Sequence, residues 1–249
     1  MPAALSSEFR RYAGACWRIV EAQHYISTLK LADSLAEQAL LEDLIEPTKP
    51  AVPPECRHLD FLLAAPFRYG AAYPHGSRFR RAGYTPGVYY AATISATAVA
   101  EMAFYRLLFF AESPATPWPV NAAEYTAFAA ALETPRLLDL TQPPLAADAA
   151  IWTHPTKYEG CQAFADTARA VGAEILCSRS VRDPEGRANL AILACRAFSE
   201  PAPIAHQTWR LRLSGSGVQA RCEFPPQALE FPRTAFAVDP RIAALNWQR

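Results

Sequence analysis

The sequence has little lysine, no excess of either charge and no long apolar run. Its 24 basic residues equal its 24 acidic residues in number, and all but three of the basic ones are arginine. A chain without net charge lacks the basic surface that attracts nucleic acids or anionic membranes, so we expect neither as a direct partner. The most apolar stretch, residues 96–111, is interrupted by Glu101 and Arg106 and is not expected to span a bilayer.

Signals for export and for metal binding are also missing. The first residues have no continuous apolar core behind a basic start, so we expect a cytoplasmic protein. No C-x-x-C pair occurs, and the cysteine spacing matches neither a zinc site nor a disulfide framework. We therefore expect no metal and six buried free thiols, at Cys16, Cys56, Cys161, Cys177, Cys195 and Cys222.

The composition is globular, because 51% of the 249 residues are hydrophobic and 19% are charged. The prolines cluster in short segments that indicate loops, none of them long enough for a domain linker. We predict a single domain over residues 1–249, with an N-terminal helical elaboration over about 1–60 and the core motifs over about 61–224.

Periodicity predicts mixed elements without regular β-α-β alternation, which favours an α+β fold. Ser27 and Thr28 are candidate caps of a helix that ends near Ile45, and Gly172 is expected to end another. The predicted helices cover about 28–45, 96–110 and 161–171. The predicted strands cover 88–93, 136–140, 173–177 and 190–195, followed by a hairpin of 209–213 and 218–224.

Glu101 is out of place in its sequence context, because the helix predicted around it is apolar nearly all round. A buried carboxylate is costly unless it is paired, so Glu101 is either a structural ion-pair member or a site residue. Tyr89 and Tyr90 lie in the strand before this helix, and alternation allows only one of them to face the same cleft as Glu101.

Arginines cluster in PFRYGAAYPHGSRFRRAGYTPG, where they could hold a pyrophosphate or form a solvated surface. Neither G-x-G-x-x-G nor a Walker loop is present. Ser178 and Ser180 end a predicted strand, but neither lies in a G-x-S-x-G elbow, so turn chemistry competes with a serine-hydrolase interpretation.

Three blocks of this sequence together resemble the RES domain family. They are WRIVEAQHYISTLKLADSLAEQALLEDLIE, HGSRFRRAGYTPGVYYAATISATAVAE, and YEGCQAFADTARAVGAEILCSRSVRDPEG. By this resemblance Arg18, Arg78, Tyr90, Glu101 and Ser180 fall on the family's arginine, tyrosine, glutamate and serine positions, Tyr90 fitting better than Tyr89 and Ser180 better than Ser178. Ile19 departs from the tyrosine that some members carry after the early arginine.

The resemblance implies a fold similar to ADP-ribosyltransferases, with small sheets around an NAD+ cleft. It implies cleavage of NAD+ at the nicotinamide–ribose bond by a toxin that an Xre-like antitoxin restrains. Glu101 would stabilise the positive charge that develops on the ribose, while Arg18 and Arg78 would hold phosphate or ribose oxygens. Tyr90 would stack on a ring of the ligand, and Ser180 would orient Glu101 or bond the ligand; nothing in this chemistry requires a metal.

Three functions therefore remain open, with a serine hydrolase as a distant fourth. The first is an NAD+ glycohydrolase or phosphorylase, the second a mono-ADP-ribosyltransferase acting on a host protein, and the third a non-catalytic nucleotide-binding module. A homo-oligomer is possible through an exposed face of the N-terminal helix. The acceptor of the ADP-ribose, whether water, phosphate or protein, is left undecided by the residues.

Overall fold

One mixed sheet organises the molecule. The computed structural model describes residues 5–21, 31–68, 76–83 and 86–248, and eight strands in these ranges are hydrogen-bonded in the order β1-β2-β5-β4-β3-β6-β7-β8. The strands are β1 Arg10–Glu21, β2 Tyr89–Ala92, β3 Ala123–Asp139, β4 Ile175–Arg179, β5 Ala188–Ile192, β6 Ala205–Ser214, β7 Gly217–Cys222 and β8 Gln227–Pro232.

Five of these strands close into a ring, because β1 pairs with both β2 and β3. β1 runs antiparallel to β3 along its whole length and meets β2 at the pair Trp17 and Ala92. β3 and β4 are parallel, and the other pairs are antiparallel. β6, β7 and β8 extend the sheet beyond β3.

Helices cover the sheet: α1 Leu35–Ile45, α2 Phe61–Arg68, α3 Ser95–Glu112, α4 Ala149–Trp152, α5 Glu159–Ala170 and α6 Pro240–Ala243. The longest, α3, is rich in alanine and phenylalanine and packs against β6, β7, β8 and α6 in one apolar cluster. Val99, Phe104 and Leu107 of this helix are buried, and their packing fixes the helix, and therefore Glu101, relative to the strands.

The register of the short strands decides which side chains share a face. Asn189 of β5 stands opposite Ala92 of β2 and Ser178 of β4. Because side chains alternate along a strand, Tyr90 and Asn189 lie on one face, whereas Tyr89 and Leu190 pack in a separate cluster on the other. The expectation that only one of the two tyrosines can face the site thereby gains its structural basis.

The α+β prediction is confirmed, but the N-terminal helical elaboration is wrong over residues 10–21. That segment is the strand β1, and its pairing along β3 decides its conformation where the local sequence pattern shows no clear period. The predicted caps Ser27 and Thr28 lie outside the described residues. Within them the helix begins at Leu35, with the Ser34 side chain accepting from the Glu37 amide.

The third strand is also longer than predicted. Its first part, AEYTAFAAALE, contains residues of high helix propensity, yet antiparallel pairing with β1 and β6 makes it extended. β8 was not predicted at all. By contrast, the helix before Gly172 ends as predicted, and this glycine has a φ of +81°, a conformation that side-chain-bearing residues rarely adopt.

The expectation of six free thiols is wrong for one pair. Cys56 and Cys195 form a disulfide between positions 139 residues apart, which only the folded chain brings together. Cys16, Cys161, Cys177 and Cys222 are free. Among the described residues, no helix is both long and apolar enough to cross a membrane, and no cluster of His, Cys, Asp and Glu could hold a metal ion.

Candidate active site

A cavity of about 580 Å³ lies between α3, the ends of β2, β4 and β5, and the turn at residues 76–80. Its volume is in the range of small-molecule sites, about 300–1,000 Å³. Four of the predicted site residues line it: Arg18, Arg78, Tyr90 and Glu101. Ser180 does not line the cavity but donates a hydrogen bond to Glu101. The structure therefore brings together all five residues that the sequence singled out.

Glu101 presents a half-buried carboxylate to this cavity. Its Oε1 accepts a hydrogen bond from Ser180 Oγ at 2.6 Å and another from Asn189 Nδ2 at 2.5 Å. Both donors therefore hold the same carboxylate oxygen. No other hydrogen bond or ion pair to this side chain comes from the part of the chain that the structure describes.

Ser180 follows β4 and is buried, and its hydroxyl has a full set of partners. The hydrogen points to Glu101, and the oxygen accepts from the backbone amides of Arg182 at 3.2 Å and Asp183 at 3.0 Å. A hydroxyl offers one donor and two acceptor positions, so this one is saturated. It orients Glu101, and among the described residues that line the cavity there is no histidine or lysine to act as the base of a serine nucleophile, which argues against the serine-hydrolase interpretation.

Asp183 anchors the turn that carries Ser180. Its carboxylate accepts from Thr97 of α3 at 2.6 Å and from Arg187 at 2.6 Å. Burial by itself would raise the pKa of Asp183, but the hydrogen bonds from Arg187 and Thr97 hold it below the ordinary value. An ionised Asp183 thus ties the end of β4 to the helix that bears Glu101.

Arg18 lies half-buried in β1 beside the cavity. Its Nη1 donates to the backbone oxygen of Tyr90 at 2.8 Å, and its guanidinium lies 5.1 Å from the centre of the Tyr89 ring. Burial lowers the pKa of Arg18. None of the carboxylates in the described ranges forms an ion pair with it, so its positive charge is available to an anion. Neighbouring Ile19 lines the cavity as an apolar residue.

Arg78 is also half-buried and is held by backbone oxygens rather than by a carboxylate. Its Nη1 donates to Trp152 O at 2.7 Å and His154 O at 3.0 Å, and its guanidinium stacks 4.8 Å from the centre of the Tyr158 ring. Such bonds fix the position of the guanidinium without neutralising it. No ion pair to Arg78 is formed by the residues that the structure describes.

Tyr90 shapes the turn that carries Arg78. Its hydroxyl accepts from the Phe79 amide at 2.9 Å and lies 2.8 Å from Ser77 Oγ. Burial raises the pKa of this hydroxyl. Gln162 of α5 holds the same turn by donating to the backbone oxygen of Ser77 at 3.0 Å. A Cβ at Gly76 would lie 2.9 Å from the Gln162 amide nitrogen and 3.1 Å from the backbone oxygen of Arg80, so this position leaves little room for a side chain.

Two further arginines line the cavity but are engaged in an ion-pair network. Arg182 lies 3.2 Å and Arg241 lies 2.8 Å from the Asp239 carboxylate, and Arg182 stacks 3.8 Å from the centre of the Phe104 ring. Burial would raise the pKa of Asp239, but the bonds from Arg241 and the charge of Arg182 keep it below the ordinary value. This network ties the C-terminal helix α6 to α3.

Sequence reasoning missed Asn189, Gln162 and Arg182. Asn189 is the one polar side chain in ANLAI, and a polar residue in an apolar strand was a usable signal. Gln162 lay inside a block that the resemblance used, but its contact is to a turn 82–85 residues earlier in the chain. The partner of Arg182, Asp239, lies 57 residues later, which no local pattern reveals.

Comparison with known proteins gives one family. The model of the RES domain matches residues 52–214, a segment that includes Arg78, Tyr90, Glu101 and Ser180 and leaves Arg18 outside. A crystal structure of the M. tuberculosis MbcT–MbcA toxin–antitoxin complex has a similar chain, with a TM-score of 0.46, 14% identity, and coverage of 98% of this chain and 97% of that one. This likeness is too distant to bear on function. A search of curated proteins gives no match.

Proposed function

The chain belongs to the RES domain family, and from that premise we propose that it consumes NAD+ by cleaving the nicotinamide–ribose bond, as the toxin of a bacterial toxin–antitoxin pair. The observation that carries the proposal is the position of Glu101. This residue is the sole acidic one among the described residues that line the cavity, and five arginines line it too: Arg18, Arg78, Arg179, Arg182 and Arg241.

A single carboxylate among cations suits the chemistry of this bond. When nicotinamide leaves as a neutral base, positive charge develops on the ribose, and a fixed carboxylate stabilises it most where water is excluded. Glu101 is fixed at one oxygen by Ser180 and Asn189, so it would not need to reorganise during the reaction. The side chain would act by electrostatic stabilisation or by holding a ribose hydroxyl.

The arginines suit the pyrophosphate of the substrate. A pyrophosphate needs positive charge, and Arg18 and Arg78 bring it to the cavity without a carboxylate partner from the described residues. The rings of Tyr90 and Tyr158 offer faces for nicotinamide or adenine. The cavity lies against β1, β2, β4 and β5 of the closed ring of strands, and this arrangement supports the ADP-ribosyltransferase-like architecture that we propose for the fold.

An Xre-like antitoxin is the partner that membership of the family leads us to propose. The expected behaviour is growth arrest on expression of this chain in bacteria, with loss of cellular NAD+, and relief when the protein from a neighbouring antitoxin gene is co-expressed. Arrest without loss of NAD+ would separate the toxin role from the proposed chemistry.

The decisive experiment is turnover of NAD+ by the purified protein, with and without phosphate. We expect free nicotinamide to be released, and the Glu101→Gln variant to lose at least about 100-fold in kcat. Glu112→Gln is the matched control, because Glu112 is an exposed carboxylate at the end of the same helix. A requirement for phosphate would identify the acceptor.

Labelled NAD+ distinguishes the remaining possibilities. Label in small molecules supports a glycohydrolase or phosphorylase, whereas label on protein supports mono-ADP-ribosyl transfer. NAD+ that binds and survives incubation would support a non-catalytic module and would contradict the proposal, as would a Glu101→Gln variant with unchanged turnover.

A further inference from the structure

Asn189, which the sequence did not single out, contacts the carboxylate of Glu101 as directly as Ser180 does. Its Nδ2 donates to Glu101 Oε1 at 2.5 Å, and Ser180 Oγ donates to the same oxygen at 2.6 Å. The second oxygen, Oε2, receives no hydrogen bond from the described residues. The two donors therefore distinguish the two oxygens of one carboxylate.

The other half of the Asn189 amide shows what determines its orientation. Its Oδ1 is buried and has no hydrogen-bond partner within the described ranges. Rotating the amide by half a turn would exchange Oδ1 and Nδ2, but it would then place one acceptor against another at Glu101. An unsatisfied buried acceptor is rare in proteins and calls for an explanation. Here the explanation is that the hydrogen bond from Nδ2 to Glu101 fixes the orientation of the amide and leaves Oδ1 without a partner.

The strand register makes this contact specific. Asn189 faces α3 from β5, between Ala92 of β2 and Ser178 of β4, so its backbone is fixed on both sides. Ser180 approaches Glu101 from the turn that follows β4, and Asp183 anchors that turn to Thr97. The carboxylate is thus held by one donor from a strand and one from a turn.

We propose that Asn189 is a positioning residue for the reaction, which fixes Oε1 of Glu101 together with Ser180 and leaves Oε2 to the substrate. The inference rests on the proposed function and extends it. Asn189 acts through Glu101, so its removal should lower kcat and leave the affinity for the ADP-ribose part of the substrate unchanged.

The test compares Asn189→Ala with Asn189→Asp in NAD+ turnover, with ADP-ribose binding measured in parallel. For Asn189→Ala we expect a loss of about 100-fold in kcat at every pH, because a misplaced catalytic group reacts slowly. The dissociation constant for ADP-ribose should stay within about twofold of wild type, since the arginines are untouched. Unfolding curves verify that the variants are folded.

Asn189→Asp provides a readout that a merely structural role would not give. Aspartate has the shape of asparagine, and when protonated it can donate to Oε1 as the amide does. Two carboxyl groups at this distance cannot readily both ionise, so the pair should share one proton at moderate pH. We expect kcat near wild type in the pH range where the pair holds one proton, and a fall as pH rises and that proton is lost, a limb that wild type lacks.

The other groups around the cavity do not obscure this limb. The charged and titratable residues that line it besides Glu101 are Arg18, Arg78, Arg179, Arg182, Arg241, Tyr90, Tyr105 and Tyr158. Arginine and tyrosine side chains ordinarily change charge only above about pH 9. Asn246→Asp is the matched control, because it makes the same amide-to-carboxyl change at an exposed position near the C-terminus.

The outcomes separate this inference from the function it extends. If wild type releases no nicotinamide and labels no protein, the proposed function fails, and the role of Asn189 in it fails too. If wild type is active while Asn189→Ala keeps kcat within about twofold, only the inference is overturned. A pH profile of Asn189→Asp that matches wild type would overturn it as well.

Discussion

Two pairs of arginines line the same cavity and differ in what holds them. Arg182 and Arg241 share the buried carboxylate of Asp239, whereas Arg18 and Arg78 are tethered by backbone oxygens and aromatic rings. The first pair has an internal counter-charge, although one carboxylate offsets only one of the two cations, and the second pair has none among the described residues; we call them the compensated and the uncompensated pair. A position on the wall of a cavity therefore does not by itself indicate a role in binding; the location of the counter-charge does.

The largest expected effect tests the compensated pair. Arg182→Met should lower the free energy of unfolding by about 3 kcal/mol, because it leaves Asp239 buried with one cation fewer and removes the stacking on Phe104. Denaturant unfolding measures it, with Arg212→Met on the exposed face of β6 as the control. Equal stability of the two variants would remove the structural role assigned to Arg182.

The next effect tests the uncompensated pair. Arg78→Met should weaken binding of ADP-ribose by about 10- to 100-fold, the loss of a charge-assisted hydrogen bond worth about 1.5–3 kcal/mol. Calorimetric titration measures the affinity, and Arg182→Met, studied where it is fully folded, should change it by less than about threefold. If Arg182→Met weakened ADP-ribose more than Arg78→Met, the comparison would be reversed.

The smallest effect concerns acid. The folded protein holds the pKa of Asp239 below its ordinary value of 3.8, so the stability that this carboxylate contributes is present above pH 3.8 and is lost as pH falls through the lower, folded value. Unfolding free energies measured from pH 6 to pH 3 should therefore show the difference between wild type and Asp239→Asn shrinking below about pH 4. A constant difference would mean that the Asp239 charge is not involved.

The sequence was sufficient to predict the orientation of residues that is set by their own helix or strand. It was insufficient where pairing between distant segments determines the conformation or the contact. Glu101 stood out because a carboxylate in the middle of an apolar helix has few reasons to be there, and the alternation of Tyr89 and Tyr90 follows from extended backbone alone. The resemblance to a family added Arg18, Arg78 and Ser180, which no local pattern would have joined.

The errors have a common physical origin. β1 and the first half of β3 contain residues that do not favour a strand, and they are extended because they pair with each other and, in the case of β3, also with β6. The Cys56–Cys195 disulfide and the contact of Asn189 with Glu101 likewise join positions 139 and 88 residues apart. Such contacts are determined by the order in which the strands pair, and the periodicity of a single sequence does not indicate that order.

The register of β5 against β2 and β4 determines which of its side chains face the site. Side chains alternate along β5, so a shift of this strand by one residue would present Ala188 or Leu190 to Glu101, and a shift by two would present Arg187 or Ala191. No nearby register offers another amide. An odd number of residues added within β5 would therefore turn the polar face of the site into an apolar one.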